Sequence, residues 1–388
     1  MDEATELIKY SFNHHNIGGK EVIPVNSPVY HGSTILFESQ EDMDAAIRNE
    51  YQGIAYGTDR LPNQRELEEM LNFMEHAELT RIFPSGISAL RHLFLAFLRP
   101  GDHLLITDNA YFPTSAIAEK FLLEFNIKTD FIPADCGSEI KDYLTDHTKM
   151  IFLESPGSLT FEIQNIPEIT ESIKDKNIII ACDNTWATPL NFKPLDNGID
   201  IVVESLTKYI SGNSELLLGS ISTNKKYTQI LKNYYSLMGI CTSSDDCSRA
   251  VKGLKTLKTR LKSHEKNAII AANWLEHHPV IEKVLHPALP SHPNHDLWKK
   301  LFNGSSGLFS FSLKKDIEEE KAKAFINNLE LFGKGFSFGG YKSLISLART
   351  HRRLTNTKNK EILIRISIGL EEIEDLIKDL EHAIEVSL

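Results

Sequence analysis

"DIVVESLTKYISGNSELLLGSIST", residues 200–223, sets two apolar runs on either side of one lysine. Ile201-Val202-Val203 reads as a buried strand and Leu216-Leu217-Leu218 as a second one. Between them stand Ser205, Thr207 and Lys208. Lysine is among the residues least often buried without a partner. Lys208 therefore lies either on an exposed bend or inside the molecule for its chemistry.

The surrounding chain favours a parallel sheet. Apolar strand patterns at "TRIFPS", "DHLLITD", "IKTDFIP", "TKMIFLESP", "NIIIACDN" and "GIDIVVES" alternate with helical patterns at "GISALRHLFLAFL", "PTSAIAEKFLLEF" and "IPEITESIKD". Such alternation predicts an α/β fold, a mostly parallel sheet covered on both faces. Upstream, Leu67, Met70, Leu71 and Met74 share one helical face. Residues 226–278 read mainly as long helices, and "LFSFSLKK" (308–315) as a strand with alternating faces. The tail places Leu370, Ile373, Leu376, Ile377, Leu380 and Ile384 on one helical stripe. The expected organisation is an N-terminal arm (1–55), a large α/β domain (56–245) and a smaller α+β domain (246–388).

Bulk properties narrow the function. The 388 residues carry a net charge of −11 and no basic stripe, which argues against nucleic acid. Four cysteines (136, 182, 241, 247) form no CxxC pair, so neither a zinc site nor a disulfide framework is expected. The start has no apolar core of a signal peptide, and no run reaches membrane-spanning length. The expected address is the cytoplasm, without a membrane partner.

Three groups fall at strand ends, where open parallel sheets bind ligands. They are Ser85-Gly86-Ile87, Asp183-Asn184 and Ser205-x-Thr207-Lys208. Each suits one part of pyridoxal phosphate. A helix starting near Gly86 offers free N–H groups to a phosphate, and Ser205 and Thr207 offer hydroxyls. Lys208 suits the aldehyde carbon, Asp183 the pyridine nitrogen, and Tyr111 the ring face. Each piece also has a commonplace reading: a helix cap for Ser85, a turn former for Asp183, a solvated turn for Lys208.

"CDNTWATPLNFKPLDNGIDIVVESLTKYISG" resembles the signature of the Cys/Met-metabolism PLP enzymes, of PLP fold type I. "FLESPGSLTFEI", "DNAYFPTS", "FSFGGYKSLISLA" and "LIRISIGLEEIEDLIKDLEHAI" look similar to the bacterial cystathionine β-lyase branch, from about residue 20 to the C-terminus. The resemblance implies a mostly parallel, seven-stranded type of sheet with a smaller C-terminal domain. It makes Lys208 the Schiff-base lysine, Asp183 the pyridinium partner and Tyr111 the stacking residue. Gly86, Ile87, Ser205 and Thr207 become phosphate contacts. Arg365 matches the arginine that grips the substrate α-carboxylate; Ser337 and Phe336 line the same pocket. Tyr56 matches a tyrosine that enters a neighbouring subunit's site, so homodimer pairs forming a homotetramer are implied. The histidines at 277, 278, 286, 292 and 295 match a segment that holds no metal in the family.

The chain departs from that pattern at several places. Thr58 and Asp59 stand where relatives carry arginines, and Arg60 or Arg65 is the expected substitute. Ala116 replaces an acid, and Asn213 and Glu215 replace His and Asp. The resemblance implies a PLP-dependent C–S β-lyase of cystathionine or a related thioether, with Lys208 as base and Tyr56 or Tyr111 as acid. Phe336 stands where γ-lyases and γ-synthases often carry glutamate. A γ-replacement enzyme and a degenerate PLP-binding regulatory protein are the alternatives.

Overall fold

The computed structural model describes residues 2–9, 15–17, 20–350, 352–354 and 362–388. The parts of the expected arm at 10–14 and 18–19 lie outside the described residues.

Seven strands form the larger sheet: β1 (Leu79–Phe83), β2 (His103–Thr107), β3 (Lys128–Ile132), β4 (Thr148–Glu154), β5 (Ile179–Asp183), β6 (Ile201–Glu204) and β7 (Gly219–Thr223). Their order is β1-β7-β6-β5-β4-β2-β3. All neighbours are parallel except where β7 meets β1 and β6. The central strands are apolar on both sides, as a covered sheet requires. Leu104, Ile106, Phe152 and Val203 pack with Leu90, Leu93 and Phe94 of the helix Gly86–Phe97. Leu105, Ile151, Leu153 and Val202 pack with Ile166, Ile169 and Ile173 of the helix Ile166–Ile173 on the other face. Leu67, Met70, Leu71 and Met74 of the helix Pro62–Glu75 are fully buried behind the Lys208 turn, beside Leu206 and Tyr209.

The second strand read from the opening stretch is displaced. Leu216–Leu218 is not a strand, and Leu217 is exposed; the strand is the hydroxyl-rich β7 that follows. Thr80 and Ser222 side chains share a 2.8 Å hydrogen bond across β1 and β7, so polar residues satisfy one another there. Gly219 also runs against β1's end: a Cβ would sit 2.5 Å from the Ser85 carbonyl.

The helix after Tyr111 is not uniform. It runs Phe112–Ala116, widens into a π-helical turn at Ile117–Phe121 and closes at Leu122–Glu124.

A 33-residue helix, Ser244–Glu276, leads to the smaller sheet, and the expected boundary after residue 245 falls in its first turn. The strands are β8 (Ile281–Leu285), β9 (Leu308–Leu313), β10 (Gly333–Lys334), β11 (Leu344–Arg349) and β12 (Ile362–Ser367), in the order β8-β9-β12-β11-β10. β9 is buried on both faces rather than alternating, with Ser310 and Ser312 inside. The last helix, Ile373–Ser387, buries Ile373, Leu376, Leu380 and Ile384; Leu370 precedes it and is partly exposed.

Candidate active site

The carboxyl ends of β1, β4, β5 and β6 open onto one cavity of about 430 Å³. Gly86, Ile87, Tyr111, Asp183, Ser205, Thr207, Lys208, Phe336, Ser337 and Arg365 all border it. Tyr56 does not; it stands in a separate hollow with His31, Thr58 and Cys241, half exposed.

One end of the cavity is a helix N-terminus. Ser85 caps the helix Gly86–Phe97, its Oγ accepting from Ser88 N at 3.1 Å. Gly86 lies so close to Ser205 that a Cβ would sit 2.7 Å from Ser205 Oγ. The missing Cβ keeps backbone N–H groups and the Ser205 hydroxyl together at the positive end of a helix dipole. Thr207 Oγ1 is partly engaged with Leu218, accepting from its N–H at 3.1 Å.

The other end holds the charged groups. Lys208 Nζ donates to Ser337 Oγ at 2.8 Å and lies 5.0 Å from the Phe338 ring centroid. Arg365 Nη2 donates to the carbonyl of the same Ser337 at 3.2 Å. Ser337 has φ +91°, a conformation rare outside glycine, and it faces both cations. Burial, then the Arg365 charge, pull the Lys208 amine down to about 8, against the attraction of Asp183. Burial likewise pushes the Asp183 carboxyl up, although it accepts from Thr185 N at 2.9 Å. A buried carboxyl held above its ordinary value suits an added cation, and a protonated pyridine nitrogen is one.

Sequence reasoning missed Glu154. It ends β4 directly beside Asp183 in the strand register. It borders the cavity and accepts from Tyr111 N at 2.6 Å. Burial and then Asp183 hold it well above the carboxylate range. Its place at a strand end in "FLESPGS" was the available signal. Tyr111 keeps its proton, because burial and then Glu154 raise its phenol.

The departures fall elsewhere. Asn213 and Glu215 are exposed, and Ala116 is part of neither this cavity nor the one beside it. Arg60 is paired with buried Glu68 at 2.7 Å, and Arg65 donates to the carbonyls of Arg60 and Asp59. Both arginines are spent within the chain. His286 is buried and held neutral, its pKa pulled down to about 4 by burial.

A family model described as Cys/Met metabolism PLP-dependent enzyme matches residues 5–385. A putative cystathionine β-lyase of Rhizobium johnstonii is 38% identical over 362 residues, 92% of this chain and 90% of that protein. The cystathionine β-lyase MetC of Escherichia coli is 36% identical, covering 92% of each. An L-alanine/L-glutamate racemase of Wolbachia pipientis is 38% identical, covering 99% of this chain and 97% of its own. Among solved structures, metB from Corynebacterium glutamicum superposes with TM-score 0.89 at 29% identity, covering 100% of this chain and 98% of that one.

Proposed function

The chain belongs to the Cys/Met metabolism PLP-dependent enzymes, and from that premise we propose that it is a carbon–sulfur β-lyase. It cleaves cystathionine or a related cysteine thioether to a thiol, pyruvate and ammonia. The observation that carries this reading is Ser337, whose hydroxyl holds Lys208 and whose carbonyl holds Arg365. One residue thus spaces a base from a carboxylate receptor. The cystathionine β-lyase relatives give the reaction class.

Gly86, Ile87, Ser205, Thr207, Asp183 and Lys208 would hold pyridoxal phosphate, which would supply an electron sink for the charge left at Cα. Arg365 receives the α-carboxylate bidentately, which fixes Cα–H toward Lys208. Lys208 takes that proton as a neutral amine, a form its lowered pKa of about 8 brings within reach. Tyr111, which retains its proton, donates it to the departing sulfur. The three-carbon fragment is then hydrolysed in water to pyruvate and ammonia.

Incubation with L-cystathionine tests the reading. Pyruvate with homocysteine supports it. 2-Oxobutyrate with cysteine overturns it, and condensation of O-acylhomoserine with a thiol favours the γ-replacement reading.

A second reading is amino-acid racemisation. It is favoured by the length of the match to the racemase relative and by a base, Lys208, and an acid, Tyr111, bordering one cavity. Chiral chromatography of L-alanine and L-glutamate after incubation decides it. We also infer a cytoplasmic tetramer of paired dimers, in which the exposed Tyr56 enters a neighbouring copy's site; sedimentation velocity checks the assembly.

A further inference from the structure

A second cavity, of about 220 Å³, adjoins the first. Tyr111, Leu159, Phe336 and Arg365 border both. An amino acid held at Arg365 therefore has this second cavity within reach of its side chain. Its wall includes Arg352 and Thr160. Arg352 Nη2 donates to Thr160 Oγ1 at 2.7 Å and to Glu162 Oε1. The Arg352 side chain is only 16% exposed. Its Nε and Nη1 have no hydrogen-bond partner among the described residues. Its neighbours are engaged otherwise: Arg349 sits on Glu319, and Arg353 on Glu119 above the Phe131 ring. Asp108 accepts from the backbone N–H groups of Arg353 and Leu354, which fastens this segment to the end of β2.

We propose that Arg352 is a specificity-determining residue that receives a carboxylate at the far end of the substrate side chain. The proposal rests on the lyase reading. It replaces what the departures remove, since Asp59 is engaged with the N–H groups of Ala55 and Tyr56 and Ala116 borders neither cavity. A guanidinium already fixed at one nitrogen presents its remaining N–H groups with little further loss of freedom. A site built this way rejects a substrate lacking the matching group.

The test uses the cofactor-loaded enzyme and two thioethers of matched length, S-(2-carboxyethyl)-L-cysteine and S-propyl-L-cysteine. Pyruvate release gives kcat/KM, and calorimetry gives binding. The wild type is expected to prefer the carboxylate by roughly 10- to 100-fold, the range of one charged hydrogen bond. Arg352→Gln collapses the preference towards unity, chiefly through KM. Thr160→Val, which keeps the charge but loosens the guanidinium, lowers it partway and guards against a folding defect. A preference absent in the wild type, or retained in Arg352→Gln, overturns the proposal. No pyruvate from either compound, with the binding preference intact and lost in Arg352→Gln, overturns the lyase reading alone.

Discussion

Arg260 Nη1 donates to the carbonyl of Tyr209 at 2.7 Å, tying the long helix Ser244–Glu276 to the turn just after Lys208. Arg260 Nη2 reaches the carbonyls of Ile210 and Gly253. Burial pulls its pKa down to about 10, still far above neutrality, so the clamp is charged under ordinary conditions. Arg260→Ala is expected to cost about 2–4 kcal/mol of stability, because buried carbonyls lose a charged donor. Arg260→Lys recovers only part, lacking the fork. Thermal unfolding measures it, and an unchanged midpoint in Arg260→Ala counts against the clamp.

Lys208 offers a pH test in the cofactor-free chain. Its amine is neutral above about 8. The rate of pyridoxal phosphate attachment should rise about tenfold per pH unit below that value and level off above it. Arg365→Gln removes a charge that lowers the lysine's pKa, so the plateau moves to higher pH. Stopped-flow absorbance follows both. A profile identical in the two proteins would sink the assignment of Arg365 as a cause.

Glu75 and Glu204 meet behind the sheet, both almost fully buried, with the Asn184 side chain beside Glu75. Burial pushes Glu75 up to about 8 and Glu204 well above the carboxylate range. The folded state therefore binds more protons than the unfolded chain once pH exceeds about 4.5. The stability this contributes is complete below about 4.5 and is lost as pH rises through about 8. For Glu75 alone, a shift from 4.5 to about 8 corresponds to a loss on the order of 5 kcal/mol. Glu204→Gln removes one of the two acids and should flatten the decline. Urea midpoints at several pH values between 5 and 9 give the answer, and an equally steep decline in the variant rejects the assignment of the pH dependence to this buried pair.

Arg60 is predicted to serve the fold rather than the cofactor. It and Arg81 both contact Glu68 Oε2, at 2.7 and 3.1 Å. Arg60→Ala should lower stability by about 1–3 kcal/mol while leaving pyridoxal phosphate affinity unchanged. A weakened cofactor affinity at unaltered stability would return Arg60 to the phosphate. Thr58→Arg supplies the cation that the family resemblance implies at this position and should tighten retention of the cofactor during dialysis.

The strands were legible where burial on both faces forced continuous apolar runs, as at Ile201–Val203 and Ile179–Ala181. The Lys208 turn was legible because strand ends collect chemistry. β7 was not, since Ser220, Ser222 and Thr223 are buried without being apolar. Glu75 and Glu204 escaped for a related reason: a charged letter reads as surface, and only packing reveals that it is inside. Glu154 stood in a quoted motif, but its role depends on Asp183 lying in register on the next strand. Arg352 became visible only once its segment was seen fastened to Asp108, over two hundred residues away in sequence.

β7 inserts antiparallel between β1 and β6, and Leu79–Phe83 pairs residue by residue with Thr223–Gly219. During synthesis, β1 emerges long before its partner. The edge it later shares with β7 stays unpaired while the intervening chain is made, so the slow, long-range closure comes late. The proposed phosphate cradle at Ser85–Gly86 leans on Gly219 and Ser205. A nascent chain therefore has no cradle until more than half of it has left the ribosome. Truncated chains ending before residue 219 should fail to retain the cofactor however well their helices form.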